Sequence, residues 1–228
     1  MPDSDVLARG IELYNRQDYA GALSFFLALP PDSGAEGGDI AYFLGLCYAR
    51  LGRFEDSLLY LEQVVTAGGE QGRVQQCRFL LAVIYALSGR RRLAAFELNK
   101  LLEAGYREAS VYAAIAYLSW EQNDVEKSLE YYEKSLSADP ENATALNGIG
   151  YVLACEDRDL AKALSFCKRA VEYSPDSAAC LDSLGWVYYK LGLLADARKY
   201  LEQAAVLDRN NEKIAEHIRA VLSAEGKK

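Results

Sequence analysis

The sequence is poor in the residues that chemistry usually needs. It holds one histidine, one methionine and five prolines among 228 residues. A Ser-His-Asp or Cys-His device requires a positioned base. The single histidine lies in Ala215-Glu216-His217-Ile218 with no motif beside it, so a structural or solvated ring is expected. The five cysteines, Cys47, Cys77, Cys155, Cys167 and Cys180, include no C-x-x-C pair. Zinc needs Cys and His at set spacings, so no metal site is expected. Thiols set singly in apolar runs read as reduced, buried small hydrophobes. No G-x-x-x-x-G-K-S/T loop occurs, and no G-x-G-x-x-G follows a strand. Neither catalysis nor a bound cofactor is expected.

Positive charge is also scarce. The net charge is −8, and the basic clusters are Arg90-Arg91-Arg92 and Lys227-Lys228. The first falls in a predicted turn and reads as solvated. An acidic chain without a basic face repels phosphate backbones, so nucleic acid is not an expected partner. No apolar run approaches the roughly 18 residues that cross a bilayer, so membrane insertion is not expected. Met1-Pro2-Asp3-Ser4-Asp5 shows no basic n-region, apolar h-region or lipid-attachment cysteine. As given, the chain reads as cytoplasmic; with a signal segment removed, a periplasmic or lipid-anchored product would look the same. The acidic pairs Glu55-Asp56 and Asp157 with Asp159 sit in turns or at helix starts, where carboxylates suit the helix dipole.

What is present is a core and a repeat. Hydrophobic residues make up 51% and charged residues 25% of the chain, which implies a folded protein. Small residues recur at Gly10, Gly45, Ala82, Ala116, Gly150 and Gly185, with spacings of 35, 37, 34, 34 and 35. About twelve residues after each stands a second small residue: Ala22, Ser57, Ala94, Ser128, Ala163 and Ala197. Two antiparallel helices joined by a tight turn approach closely only where the crossing point lacks bulk, and overpacking there would force them apart. Apolar residues follow at offsets of three and four, the spacing of one helix face. Turns fall at Arg16-Gln17-Asp18, Leu51-Gly52-Arg53, Ser88-Gly89-Arg90, Gln122-Asn123-Asp124, Glu156-Asp157-Arg158 and Leu191-Gly192-Leu193. Pro140 and Pro175 stand just past second helices, where proline stops a helix without breaking it.

The copies LDSLGWVYYKLGLLADARKYLEQAA from Leu181 and VYAAIAYLSWEQNDVEKSLEYYEKSLSADP from Val111 carry the pattern W-x-x-L-G-x-x-Y, then A-x-x-x-F, then P. This resembles the tetratricopeptide repeat, and the stretch from Ala145 to Gly192 is similar to a repeat pair common in bacterial members of that family. The resemblance implies an all-α fold: a right-handed α-solenoid of about six helical hairpins plus a C-terminal capping helix, in a single domain over residues 1–228. Repeats are expected near 3–36, 38–71, 75–108, 109–142, 143–177 and 178–211, with the cap at 211–225. Glycine-rich joints at Gly34–Gly38 and Gly68–Gly72 lengthen the gaps around the second repeat, and the fifth carries one extra residue near Asp157. In the cap, Ile214, Ile218, Val221 and Leu222 share a face, suited to covering the last hairpin.

The resemblance further implies that first helices line a concave face. Transferred residue by residue, the lining comprises Tyr14 with Leu7, Tyr42 and Arg50 with Leu46, and Phe79. It continues through Tyr117 and Trp120 with Ala113, Asn147 and Tyr151 with Cys155, and Asp182, Trp186, Tyr189 and Lys190. Both tryptophans fall on this face. These aromatics either form a binding groove, for which large stiff amphipathic rings are suited, or pack against the neighbouring repeat. The stretch Tyr117 to Lys190 is the preferred contact zone. Asn147, Arg50 and Lys190 are too scattered for a carboxylate clamp, so an extended apolar peptide or an amphipathic helix fits better. The expected function is that of a non-enzymatic scaffold or adaptor holding a protein or peptide. The alternative is a structural module for homo-oligomerisation or envelope-complex assembly.

Overall fold

The structure is a computed structural model that describes residues 3–30 and 33–226. Met1-Pro2 and the terminal Lys227-Lys228 pair lie outside the described residues. Among the described residues are thirteen α-helices and no strand, an all-α helical-repeat solenoid fold. The contacts divide the chain into two compact units, broken between Tyr106 and Arg107.

Unit 1 has three hairpins. The first pairs α1 (Asp3–Asn15) with α2 (Tyr19–Leu27), the second α3 (Gly37–Arg50) with α4 (Phe54–Ala67), and the third α5 (Gln71–Leu87) with α6 (Arg91–Glu103). Unit 2 pairs α7 (Ala109–Glu121) with α8 (Val125–Ala138) and α9 (Ala143–Cys155) with α10 (Leu160–Tyr173). It ends with α11 (Ala178–Lys190) paired to α12 (Leu194–Leu207), followed by the single helix α13 (Glu212–Glu225).

The six turns inside hairpins share one construction. Each holds a left-handed residue: Gln17, Gly52, Gly89, Asn123, Asp157 and Gly192. The next backbone N–H then donates to the carbonyl five residues back, as in Asp18 to Leu13 (3.0 Å), Arg90 to Tyr85 (2.8 Å) and Leu193 to Tyr188 (3.0 Å). This closes the first helix with a Schellman-type end and turns the chain straight into the second. The extra residue of the fifth turn is absorbed at Asp159. It adopts φ 33° and caps α10 by accepting from the Lys162 N–H at 3.0 Å. Asp18, Asp124, Asn142, Ser177 and Asn211 cap their helices likewise, satisfying N–H groups the helix leaves open.

The paired small residues meet where the repeat predicts. A Cβ added at Gly150 would lie 3.0 Å from the Ala163 carbonyl and 2.4 Å from Cys167 Sγ; at Gly185 it would lie 3.0 Å from the Ala197 carbonyl and 2.7 Å from Leu201 Cγ. The Ser57 hydroxyl donates to the Gly45 carbonyl at 2.8 Å. Ala22, Ser57, Ala94, Ser128, Ala163 and Ala197 are all fully buried. One close approach lies outside the series: a Cβ on Gly148 would fall inside the ring of buried Tyr132, 2.1 Å from Cζ.

The core of unit 2 gathers Tyr132, Ile149, Val152, Leu184, Val187 and Leu201 among others, and that of unit 1 gathers Leu7, Leu23, Phe26, Leu44 and Cys47. In unit 2, α9 touches α7 and α11, and α11 touches α13, whereas α8, α10 and α12 make no comparable contact with one another. Helices joined on one side and spread on the other curve the stack. First helices therefore form the inner face of the unit.

Three details differ from expectation. Arg91 and Arg92 open α6 instead of lying in a turn, and Arg90 reaches back to Glu55 at 2.6 Å. Gly37, Gly38 and Gly72 belong to the first turns of α3 and α5. On α13, Ile214 and Val221 are buried as expected, but Leu222 is 47% exposed and the third buried residue is His217. Turning α13 to bury His217 leaves Leu222 on the solvent side.

Candidate functional site: the first-helix face

Each unit presents its own inner face. In unit 1 the ring residues are tied across repeats. The Arg50 Nε–H donates to the Tyr14 hydroxyl at 3.4 Å, and the Tyr42 hydroxyl donates to Gln76 Oε1 at 2.6 Å. Arg73 lies over the Tyr42 ring, 5.5 Å from its centroid, and also pairs with Asp39. Burial raises the Tyr42 phenol, so the ring stays neutral. Phe79 is half-buried on α5. Leu7 and Leu46 turn into the core instead of lining a groove.

Unit 2 carries the larger aromatic series. Tyr117 is 43% exposed. Trp120, Tyr151, Trp186 and Tyr189 are half-buried, spread over α7, α9 and α11. Trp120 and Tyr151 meet edge to face at 6.2 Å, and Trp186 stacks on Tyr189 at 4.9 Å. Lys190 stands over Trp186 at 5.7 Å and is held by Asp157 at 2.8 Å. Ala113 is buried in the core.

Asp182 departs from its expected place on an open groove, being 7% exposed. Its carboxylate Oδ1 lies 2.8 Å from Nδ1 of His217, itself 3% exposed. The His217 ring lies flat on Trp186, centroids 4.1 Å apart and 18° from parallel, and meets Tyr151 at 6.3 Å. Of the two sequence-based expectations for His217, structural or solvated, the structure makes it structural and gives it this seat. The signal was there in register: Asn147, Asp182 and His217 are each 35 residues apart. So α13 stands as a seventh first helix and presents His217 where α9 presents Asn147.

Two polar atoms on this face lack ordinary partners, Asn147 Oδ1 and the Trp186 Nε1–H, both buried. The indole N–H faces the Cys155 sulfur, a weak acceptor, and the contact falls short of a well-formed hydrogen bond. Cys155 is not primed as a nucleophile. Burial raises its thiol against the lowering pull of Tyr151, Trp186, Lys213 and Lys190, and a raised thiol holds little thiolate at neutral pH. Tyr151 is raised chiefly by burial, with Cys155 and then Asp182 and Glu121 adding to it.

The acidic pairs are engaged structurally. Asp56 holds Arg53 at 2.9 Å, Glu55 holds Arg90, and Asp157 holds Lys190. No group of three or more His, Cys, Asp or Glu suited to a metal ion occurs among the described residues. None of the described helices is long and apolar enough to cross a membrane.

Comparison with known proteins agrees with this architecture. A sequence profile described as the tetratricopeptide repeat matches residues 7–72 and 113–179, and a second of the same description matches 154–220. No curated protein sequence matches significantly. Among solved structures, the hetero-tetramer Cut9–Hcn1 of the APC/C superposes with a TM-score of 0.75 at 13% identity, over 95% of this chain and 42% of that one. This chain thus spans under half of that relative. A tetratricopeptide repeat protein of Parabacteroides merdae ATCC 43184 superposes with a TM-score of 0.73 at 16% identity, over 95% and 83%. YrrB, described as having an unusual peptide-binding site, gives 0.50 at 15% identity, over 78% and 89%. Buried pairs of small residues and a shared turn in all six hairpins agree with profile matches over more than half the chain: the chain belongs to the tetratricopeptide repeat family.

Proposed function

We propose that the chain is a protein-interaction scaffold that holds an extended apolar peptide or an amphipathic helix against the first-helix face of unit 2. Tetratricopeptide folds are used for protein–protein interaction and are generally not enzymes. One observation carries the finer reading: Tyr117, Trp120, Tyr151, Trp186 and Tyr189 stay half-buried or exposed on three consecutive first helices. Tyr132 is buried at 4% exposure, whereas Trp120, Trp186 and Tyr189 pack against the same core with one side only and keep the other towards solvent. Half-covered rings that hold one another in place offer contact area at little further cost in side-chain entropy. The partial rings of unit 1, Tyr14, Tyr42 and Phe79 with Arg50, form a second, more polar face in the same proposal. The hetero-tetramer containing Cut9 and the peptide-binding YrrB are consistent with such use.

The test is capture of a partner from a lysate of the source cell, identified by mass spectrometry, with Tyr117→Ala/Trp120→Ala as the comparison. One hot-spot ring at about 2 kcal/mol already predicts a loss of about thirty-fold, and two acting additively a loss approaching about a thousand-fold. Unchanged far-UV circular dichroism excludes unfolding. Capture at full strength by the folded double variant sinks the assignment of this face. A concentration-dependent mass in light scattering, abolished by the same variant, would redirect the face to a second copy of the chain.

A further inference from the structure

The seat of His217 has the chemistry of a recognition pocket. Its floor is the Asp182 carboxylate, 2.8 Å from the imidazole and nearly removed from water. One wall is the Trp186 indole, lying parallel to the bound ring at 4.1 Å, and a second is Tyr151. A buried carboxylate beside aromatic faces suits a flat, cationic hydrogen-bond donor. The imidazole that fills it comes from α13, outside the two hairpins that build the floor and walls. Floor and walls all stand on α9 and α11.

We propose that this pocket receives an arginine side chain of a protein partner, and that in the free chain His217 occupies it in cis. The inference rests on the reading of the unit 2 first-helix face as the binding face. Arginine is favoured over lysine because its planar guanidinium can lie on the indole while donating to Asp182; an ammonium is a point charge that cannot stack. The chain's net charge of −8 favours, of the partners proposed for this face, an amphipathic helix whose polar side carries basic residues. The nearby cations are already engaged, Lys190 with Asp157 and Lys213 with Glu216. Entry of arginine requires α13 to let go. That helix buries Ile214, His217 and Val221, with Arg198–Glu225 at 3.7 Å on its flank. Binding of the basic segment is thereby linked to release of the cap.

The test uses the full chain with His217→Ala and small probes: N-acetylargininamide, N-acetyllysinamide and N-acetylnorleucinamide, followed by the Trp186 indole N–H resonance. The arginine probe is expected to give saturable shifts with a dissociation constant on the order of millimolar. Binding is expected to be at least about ten-fold weaker in unsubstituted chain, where His217 holds the seat, and in His217→Ala/Asp182→Asn, where the charged floor is gone. If His217→Ala frees α13, the titration still reads the pocket. Absence of saturable shifts in His217→Ala overturns the proposal, as does binding undiminished by Asp182→Asn. Tighter binding of the lysine or norleucine probe overturns the arginine assignment. In unsubstituted chain, saturating arginine probe is expected to speed amide exchange in α13 but not α12; equal rates count against release of the cap. None of these measurements needs the protein partner, so their failure and the failure of partner capture are separate results.

Discussion

Gly150 offers the sharpest test of how the hairpins are built. It lies in the interior of α9, where glycine costs about 1 kcal/mol relative to alanine. Propensity alone therefore predicts that Gly150→Ala stabilises. Packing predicts the opposite. The new Cβ would sit 2.4 Å from Cys167 Sγ, 3.0 Å from the Ala163 carbonyl oxygen and 3.2 Å from the Cys167 nitrogen. The sulfur could turn aside, but the two backbone atoms belong to α10 and yield only if the helices separate. Overpacking of this kind costs about 1–3 kcal/mol, and the fixed backbone points to the upper end of that range. The net expectation is a loss of about 1–2 kcal/mol. With a urea slope of about 1–2 kcal/mol per molar, the unfolding midpoint of unit 2 falls by about 1 M. The control is Gly38→Ala, in the first turn of α3 with nothing within 4 Å of the added Cβ, where a gain of up to about 1 kcal/mol is expected. Far-UV circular dichroism against urea reads both. If Gly150→Ala stabilises as Gly38→Ala does, close approach at the paired small residues is not what shapes the hairpins.

Two further expectations concern buried polar groups. Ser57→Ala removes the 2.8 Å bond to the Gly45 carbonyl and is expected to cost about 1 kcal/mol. Ser128→Ala, at the same repeat position, removes a buried hydroxyl with no partner and is expected to be neutral or slightly stabilising; chemical denaturation separates the two. Burial raises Cys47 and Cys77 from the usual 9.0 to about 11. A raised folded value means the folded state holds its proton longer. The stability these thiols contribute is thus complete below pH 9 and is lost as pH rises towards 11. The urea midpoint of unit 1 is expected to fall over that window, with a shallower fall in Cys47→Ala/Cys77→Ala; identical slopes would refute the assignment.

Much of the fold was legible because its rules are local. Six pairs of small residues at near-constant spacing identify the crossings, since any larger side chain there would push the paired helices apart. Turn sequences around Gly52, Gly89 and Gly192 declare the left-handed residue directly. At Gln17, Asn123 and Asp157 the same conformation is imposed by register with the other turns. Gly148 escaped, because its partner is the Tyr132 ring, sixteen residues back on the second helix of the previous hairpin. The periodicity of one helix gives no sign of how deeply a neighbour's ring will reach.

The sequence by itself determined which residues sit on each helix face and how the chain turns, because helical periodicity, turn chemistry and the demand for small residues at a crossing act within one hairpin. Only the tertiary structure decided which of those faces stay open. The stacking of successive hairpins and the rotation of α13 lie between repeats. They buried Leu7, Leu46 and Asp182, left Trp120 and Tyr151 half in solvent, and laid His217 against Trp186. Burial at those positions depends on atoms contributed by another repeat, which no single repeat's pattern contains.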